Sequence, residues 1–93
     1  MQRANNFRLG THQSVAYTGT AGTIANAFGA GTWAVRVVAT TAAFVKIGSS
    51  PTATSGDVYL PADKPEIFIV NPGEKASAIQ VASGGTLHVT ELA

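Results

Sequence analysis

Side chains that could perform acid–base or metal chemistry are few and widely spaced in this chain of 93 residues. His12 and His88 are the only histidines, Asp and Glu together number 5, and cysteine is absent. A zinc site takes three or four ligands, and thiol chemistry needs cysteine. Two distant histidines among scattered carboxylates therefore favour neither a metal site nor a catalytic centre. We expect no metal and no cofactor.

Two motifs of nucleophile and nucleotide chemistry are also missing. No Gly-x-Ser-x-Gly sequence marks an activated serine. Gly19, Gly22, Gly29 and Gly31 are spaced loosely like a phosphate-binding loop, but no Gly-Lys-Ser/Thr follows them and no helix is predicted after them. Turn glycines explain this spacing better. The sequence predicts a protein that is not an enzyme.

Three aromatic residues could present flat rings to a sugar: Trp33, Tyr17 and Tyr59. Trp33 shares a strand face with Val35 and Val37, which predicts that it packs in the core. The tyrosines combine an apolar ring with a polar tip, a combination favoured at protein interfaces. A carbohydrate-binding module for host attachment therefore stays open as an alternative to an assembly role.

Charge is the most informative part of the composition. Charged residues make up 12% of the chain, against about 25% in globular proteins. Such a surface protects poorly against association, and a domain this small gains stability from neighbours. The net charge is +1 with scattered Lys and Arg, whereas a nucleic-acid groove needs clustered ones. No apolar run reaches the roughly 18–20 residues that cross a bilayer. We expect neither nucleic acid nor membrane as a partner.

Short β-prone segments separated by turn residues run through the chain from His12 onward. They predict an all-β fold, either a small antiparallel β-sandwich of jelly-roll type or a barrel, with seven to eight strands. The predicted strands are residues 14–18, 23–28, 32–40, 44–47, 57–60, 66–70, 75–81 and 86–91.

Several local patterns carry more detailed expectations. Residues 66–70 are almost continuously apolar, which predicts a strand covered on both faces. Residues 49–56 read as an exposed loop, and 71–74 as a tight turn. Residues 83–85 predict a hairpin that joins the last two strands. In the final strand, Leu87 and Val89 are expected to face inward.

The first ten residues show neither helical nor strand periodicity, so we predict an N-terminal arm over 1–10 and a single β domain over 11–93. Phe7 is predicted to anchor this arm against another subunit. Arginines and tyrosines at exposed positions complete the set of interface candidates. The set comprises Arg3, Phe7, Arg8, Tyr17, Arg36 and Tyr59.

Beyond these patterns, residues 12–92 resemble a group of small virion proteins of tailed bacteriophages, the capsid cement or decoration proteins. The likeness lies in strand-and-turn patterns rather than in chemical motifs. It rests on residues 15–20, 35–41, 45–48, 59–62, 72–75, 77–81 and 85–91.

The resemblance implies a structural protein without catalytic residues. It implies that the chain is made in the host cytoplasm, binds the major capsid protein on the outer surface of the head, and forms homo-oligomers, with a trimer favoured. A tail, fibre or head–tail junction protein is the alternative within the virion, because small β subunits with adhesive surfaces serve there too.

Overall fold

The computed structural model describes residues 8–92, and within them it contains eight β-strands and no helix. The longest strands are the first and the last. The strands are β1 (Leu9–Tyr17), β2 (Gly22–Thr23), β3 (Ala34–Ala39), β4 (Ala43–Gly48), β5 (Val58–Leu60), β6 (Glu66–Ile69), β7 (Lys75–Gln80) and β8 (Gly85–Leu92).

The strands pair as a nested series in which the first joins the last and the inner strands follow in order. Antiparallel pairs form between β1 and β8, β2 and β7, β3 and β6, and β4 and β5. This long hairpin is wrapped so that β3 also pairs with β8, and β4 with β7. The result is a first sheet of order β1-β8-β3-β6 and a second of order β2-β7-β4-β5. Two four-stranded sheets in this order make an eight-stranded jelly roll, so the all-β prediction is confirmed and the sandwich replaces the barrel.

The core fills the space between the two sheets with side chains from alternate strand positions. In β8, Leu87 and Val89 face inward as predicted, and they lie opposite Ala39 and Val37 of β3. Small residues of the second sheet, such as Ala78, let the sheets approach closely. The buried apolar cluster consists of Tyr17, Ile24, Phe28, Val35, Val37, Ala39, Ala43, Val45, Leu60, Val70, Ala76, Ala78, Leu87 and Val89.

Two expectations for apolar residues are wrong. Trp33 was expected in the core, but β3 begins only at Ala34, and the Trp33 side chain is 61% exposed. Residues 66–70 were expected to be covered on both faces, yet β6 is an outer strand of the first sheet and Ile69 is 82% exposed. An apolar run indicates a strand, but it does not fix the position of that strand in the sheet.

The segments around 23–28 and 49–56 also differ from expectation. Only Gly22–Thr23 is a strand; the chain then leaves the sheet while Ile24 and Phe28 stay buried. The predicted exposed loop buries Pro51 and Ala53. This loop covers the second sheet at Ser77, whose hydroxyl accepts a hydrogen bond from the Ala53 N–H at 3.0 Å. The hydrogen bond explains why a polar residue can be fully buried there.

Turn chemistry is predicted better than strand partnership. The turn at 71–74 is present, with Gly73 at a φ of 88° and the Glu74 N–H donating to the Asn71 carbonyl. The turn predicted at 83–85 is shifted, because the chain bends at residues 81–83 and β8 already begins at Gly85, and the predicted hairpin is wrong, because β7 and β8 belong to different sheets. A turn motif reverses the chain without selecting the partner of the next strand.

The boundary of the expected arm shifts. β1 begins at Leu9, so Leu9 and Gly10 belong to the first sheet. Arg3 and Phe7 lie outside the described residues, and the anchoring role of Phe7 stays a prediction. Within residues 8–92, no helix has the length and hydropathy needed to cross a membrane.

Candidate assembly interface

One side of the sandwich is closed by its own chain. This covered flank is formed by β1, β2 and residues 24–28. Ile24 and Phe28 fill the gap between the sheets, and their backbone N–H groups donate to the Ala76 and Glu74 carbonyls at 3.0 and 2.8 Å. At the same flank, the side chain of Gln13 hydrogen bonds to the backbone of Asn26. Residues 24–28 therefore cover the part of this flank next to Gln13 and β2.

The opposite side, formed by β5 and β6, has no such cover in the part of the chain that the structure describes. We call it the open flank. Each of the two strands is the outer strand of its sheet on this side, and between them lies an open groove of about 160 Å³. The side chains that line the groove are all apolar. They are Val45, Ile47, Val58, Phe68 and Ile69.

The register of β6 determines which side chains face outward. Phe68 lies opposite Val35, on the side of the core. Ile67 and Ile69 alternate with it and lie opposite Arg36 and Ala34, on the outer face of the sheet. Ile67 is 52% exposed. The outer strand thus presents two large apolar side chains that nothing in residues 8–92 covers, beside the guanidinium of Arg36.

The apolar surface continues around the flank onto the second sheet. Tyr59 of β5 is 54% exposed and packs edge-to-face on Phe44, with 6.1 Å between the ring centroids. Phe44 in turn lies opposite Ile79 of β7. An edge-to-face aromatic pair contributes about 0.5–1.5 kcal/mol beyond the area that it buries. This contact favours the orientation in which the Tyr59 ring joins the apolar surface.

The backbone of β6 adds directional chemistry to the open flank. The Val70 N–H donates to the Trp33 carbonyl at 2.9 Å. Hydrogen-bonded and non-hydrogen-bonded pairs alternate in an antiparallel ladder. Hydrogen-bonded pairs therefore recur every second residue back from Val70, so the backbones of Phe68 and Glu66 also bond to β3. The N–H and C=O groups of Ile67 and Ile69 point away from β3, toward any strand that docks there.

The predicted interface residues fall into three groups. Tyr59 lies in the open flank, and Arg36 borders it through Ile67. Arg8 is exposed but precedes β1, the far edge of the first sheet. The burial of Tyr17 contradicts its assignment to an interface: its side chain is only 2% exposed, and its hydroxyl donates to the Thr41 carbonyl at 2.5 Å.

Sequence reasoning missed the isoleucines of β6 and Val58. No local signal distinguishes them: Pro65 and Pro72 bracket the apolar run at 66–70, but prolines outside the ends of a strand are compatible with outer and central strands alike.

The two histidines lie together, although no pattern in the sequence pairs them. His12 and His88 stack with 5.6 Å between ring centroids, and His12 Nδ1 lies 2.8 Å from Thr90 Oγ1. They lie on the outer face of the first sheet. Within residues 8–92, no group of three or more His, Asp or Glu side chains could hold a metal ion.

Comparison with protein-family models, with curated proteins and with solved structures gives no match for this chain.

Proposed function

We propose that this chain is a structural virion protein, a capsid cement or decoration protein that binds the outside of a phage head and stabilises the shell. The observation that supports it most is the open flank, where an unshielded strand edge and a continuous apolar surface lie side by side. Monomeric proteins normally blunt such edges with charges, bulges or covering segments. Here a covering segment lies over the covered flank, and within residues 8–92 none lies over the open flank.

The proposed role matches the physics of a shell under internal pressure. Many copies of a weak contact strengthen a particle together, so each contact can be small. An outer strand can extend a neighbour's sheet through backbone hydrogen bonds, which do not demand particular side chains. The partners in this proposal are the major capsid protein and further copies of the chain. The resemblance to cement proteins favours three-fold association among those copies.

The thermal stability of virions tests the proposal. Particles of the phage carrying this gene, made with and without the protein, are heated, and DNA release is followed by sensitivity to nuclease. We expect particles without the protein to release DNA at lower temperature. Adding back Ile69→Lys protein should rescue poorly, whereas Val81→Lys, an exposed position after β7, should rescue fully. Equal DNA retention with and without the protein would refute the cement role.

Copy number separates the shell from other virion locations. A cement protein is present in amounts comparable with the major capsid protein. A protein of the tail, a fibre or the head–tail junction is present in far fewer copies per particle. Quantitative gel densitometry of purified virions gives the ratio directly.

A carbohydrate-binding module for host attachment is the second candidate, and the exposure of Trp33 favours it. A ring that is 61% exposed at a strand end is available for stacking on a sugar. Its fluorescence should then shift or be quenched when host glycan is added, and Trp33→Ala should abolish binding. Unchanged fluorescence across a broad set of glycans would contradict the carbohydrate-binding role and leave assembly as the proposed function.

A further inference from the structure

The open flank has a geometry that suits a second copy of the same chain. We propose that β6 pairs with β6 of another copy about a two-fold axis, which joins the two first sheets into one of eight strands. This pairing takes the open flank to be an assembly surface, as proposed above, and names its partner.

The register of this pairing follows from the backbone groups that point outward. Ile67 and Ile69 each offer one N–H and one C=O on the side away from β3. When Phe68 lies opposite Phe68 of the other copy, Ile67 faces Ile69 and Ile69 faces Ile67. All four outward groups of each strand then find partners within β6, giving four hydrogen bonds.

Shifted registers satisfy fewer of these groups from within the strand. Centring on Ile67 would bring Pro65 opposite Ile69, and proline has no N–H to donate. Centring on Ile69 would bring Ile67 opposite Asn71, whose N–H already donates to the Glu74 side chain at 2.8 Å. The arrangement centred on Phe68 is therefore favoured.

Side chains and charges fit the same register. On the outer face, neighbouring side chains across the dimer interface follow in the order Arg36 and Ile67 of one copy, then Ile69 and Ala34 of the other. The two Arg36 side chains are thus separated by isoleucines. Glu66, the only charged residue of β6, comes opposite Val70, which is neutral. No like charges face each other, which is a condition for stable pairing of identical strands. The grooves beside the two Phe68 side chains meet at the two-fold axis, so that each copy covers the groove of the other.

Two-fold pairing differs from the trimer that the resemblance implies, so the mass of the protein in solution distinguishes them. Light scattering across a concentration series of the full chain should show a dimer. The decisive variant is Ile67→Pro, because proline is tolerated in an outer strand where its nitrogen points to solvent. It removes one donor per copy, two of the four hydrogen bonds, and should weaken the dimer about tenfold or more. Val81→Lys serves as the control and should dimerise normally.

A cross-link tests the register itself. The native chain has no cysteine, so Phe68→Cys introduces one thiol per copy. Non-hydrogen-bonded pairs place Cα atoms about 4.5 Å apart, a distance that a disulfide can span. Oxidation should give a covalent dimer for Phe68→Cys and little for Ile67→Cys, whose equivalent positions lie diagonally. Circular dichroism and thermal unfolding establish that each variant is folded.

The outcomes separate this pairing from the cement role. A dimer that Ile67→Pro weakens, together with selective cross-linking at position 68, supports the pairing. A monomer, a trimer, or a dimer indifferent to Ile67→Pro overturns it. None of those results alters the virion heating experiment, which tests the cement role on its own terms.

Discussion

Gln13 and Asn26 exchange two hydrogen bonds across the covered flank. Gln13 Nε2 donates to the Asn26 carbonyl at 2.9 Å, and the Asn26 N–H donates to Gln13 Oε1 at 3.0 Å. A side-chain amide thus reproduces the pattern that a neighbouring strand would supply. It secures the segment that carries Ile24 and Phe28 into the core, and so distinguishes the covered flank from the open one.

Replacing Gln13 with Ala should lower the free energy of unfolding by about 0.5–1.5 kcal/mol, a modest loss because water can reach the released groups. Urea denaturation followed by circular dichroism measures it. Asn26→Ala is the matched control, since both bonds use its backbone, and it should change stability little. Equal losses in the two variants would mean that the amide pair does not hold this segment.

The hydroxyl of Tyr17 should matter to stability, whereas that of Tyr59 should not. Tyr17 donates to the Thr41 carbonyl, accepts from the Thr41 N–H at 3.2 Å, and is buried. Tyr17→Phe leaves these partners unsatisfied and should cost about 1–3 kcal/mol. Tyr59→Phe, at an exposed position, should stay within about 0.5 kcal/mol. Thermal unfolding of both variants gives the comparison; a neutral Tyr17→Phe would contradict the burial of this bond.

The close approach of β2 to β1 requires glycine at position 22. A Cβ atom there would overlap the carbonyl oxygen of Ala16, a backbone atom that cannot move independently. Gly22→Ala should therefore destabilise the protein by about 1–3 kcal/mol. At Gly31 an added Cβ meets nothing within 4 Å, so Gly31→Ala should be neutral or slightly stabilising. Calorimetry of the pair tests this; a tolerated Gly22→Ala would show that the two strands can separate.

Asp63 occupies the left-handed region, with φ at 58°, in the turn between β5 and β6. Its N–H donates to the Ala39 carbonyl at 2.8 Å, which ties the turn to the end of β3. A β-branched residue is strained in this conformation, so Asp63→Val should cost about 1–2 kcal/mol. Asp63→Asn and Asp63→Gly should be tolerated. Denaturation midpoints rank the variants, and an order independent of β-branching would exclude backbone strain as the cause.

Alternation and turn residues allowed the fold class and most strand positions to be predicted from sequence. In β8 the inward positions of Leu87 and Val89 follow from period-two patterning, because a strand with one solvent-facing side must alternate apolar and polar residues. The turn at Gly73 follows from the need for a residue that accepts positive φ.

Features that depend on distant partners could not be predicted. Trp33 and Tyr17 both stand at an end of an apolar strand segment, yet Trp33 is exposed just before β3, whereas Tyr17 is buried where its hydroxyl reaches Thr41 across the fold. The open flank was missed for the same reason. An outer strand and a central strand can share one apolar sequence, and only the sheet order distinguishes them.

The nested pairing of strands has a consequence for synthesis of the chain on the ribosome. β1 emerges first, but its partner is β8, which also supplies a neighbour to β3. The first sheet cannot close until β8 has left the exit tunnel, so β1 has no sheet partner, and β3 has only β6, while the intervening segments are translated. Such long-range pairing folds slowly, and the interval exposes the nascent chain to chaperones before the sandwich can form.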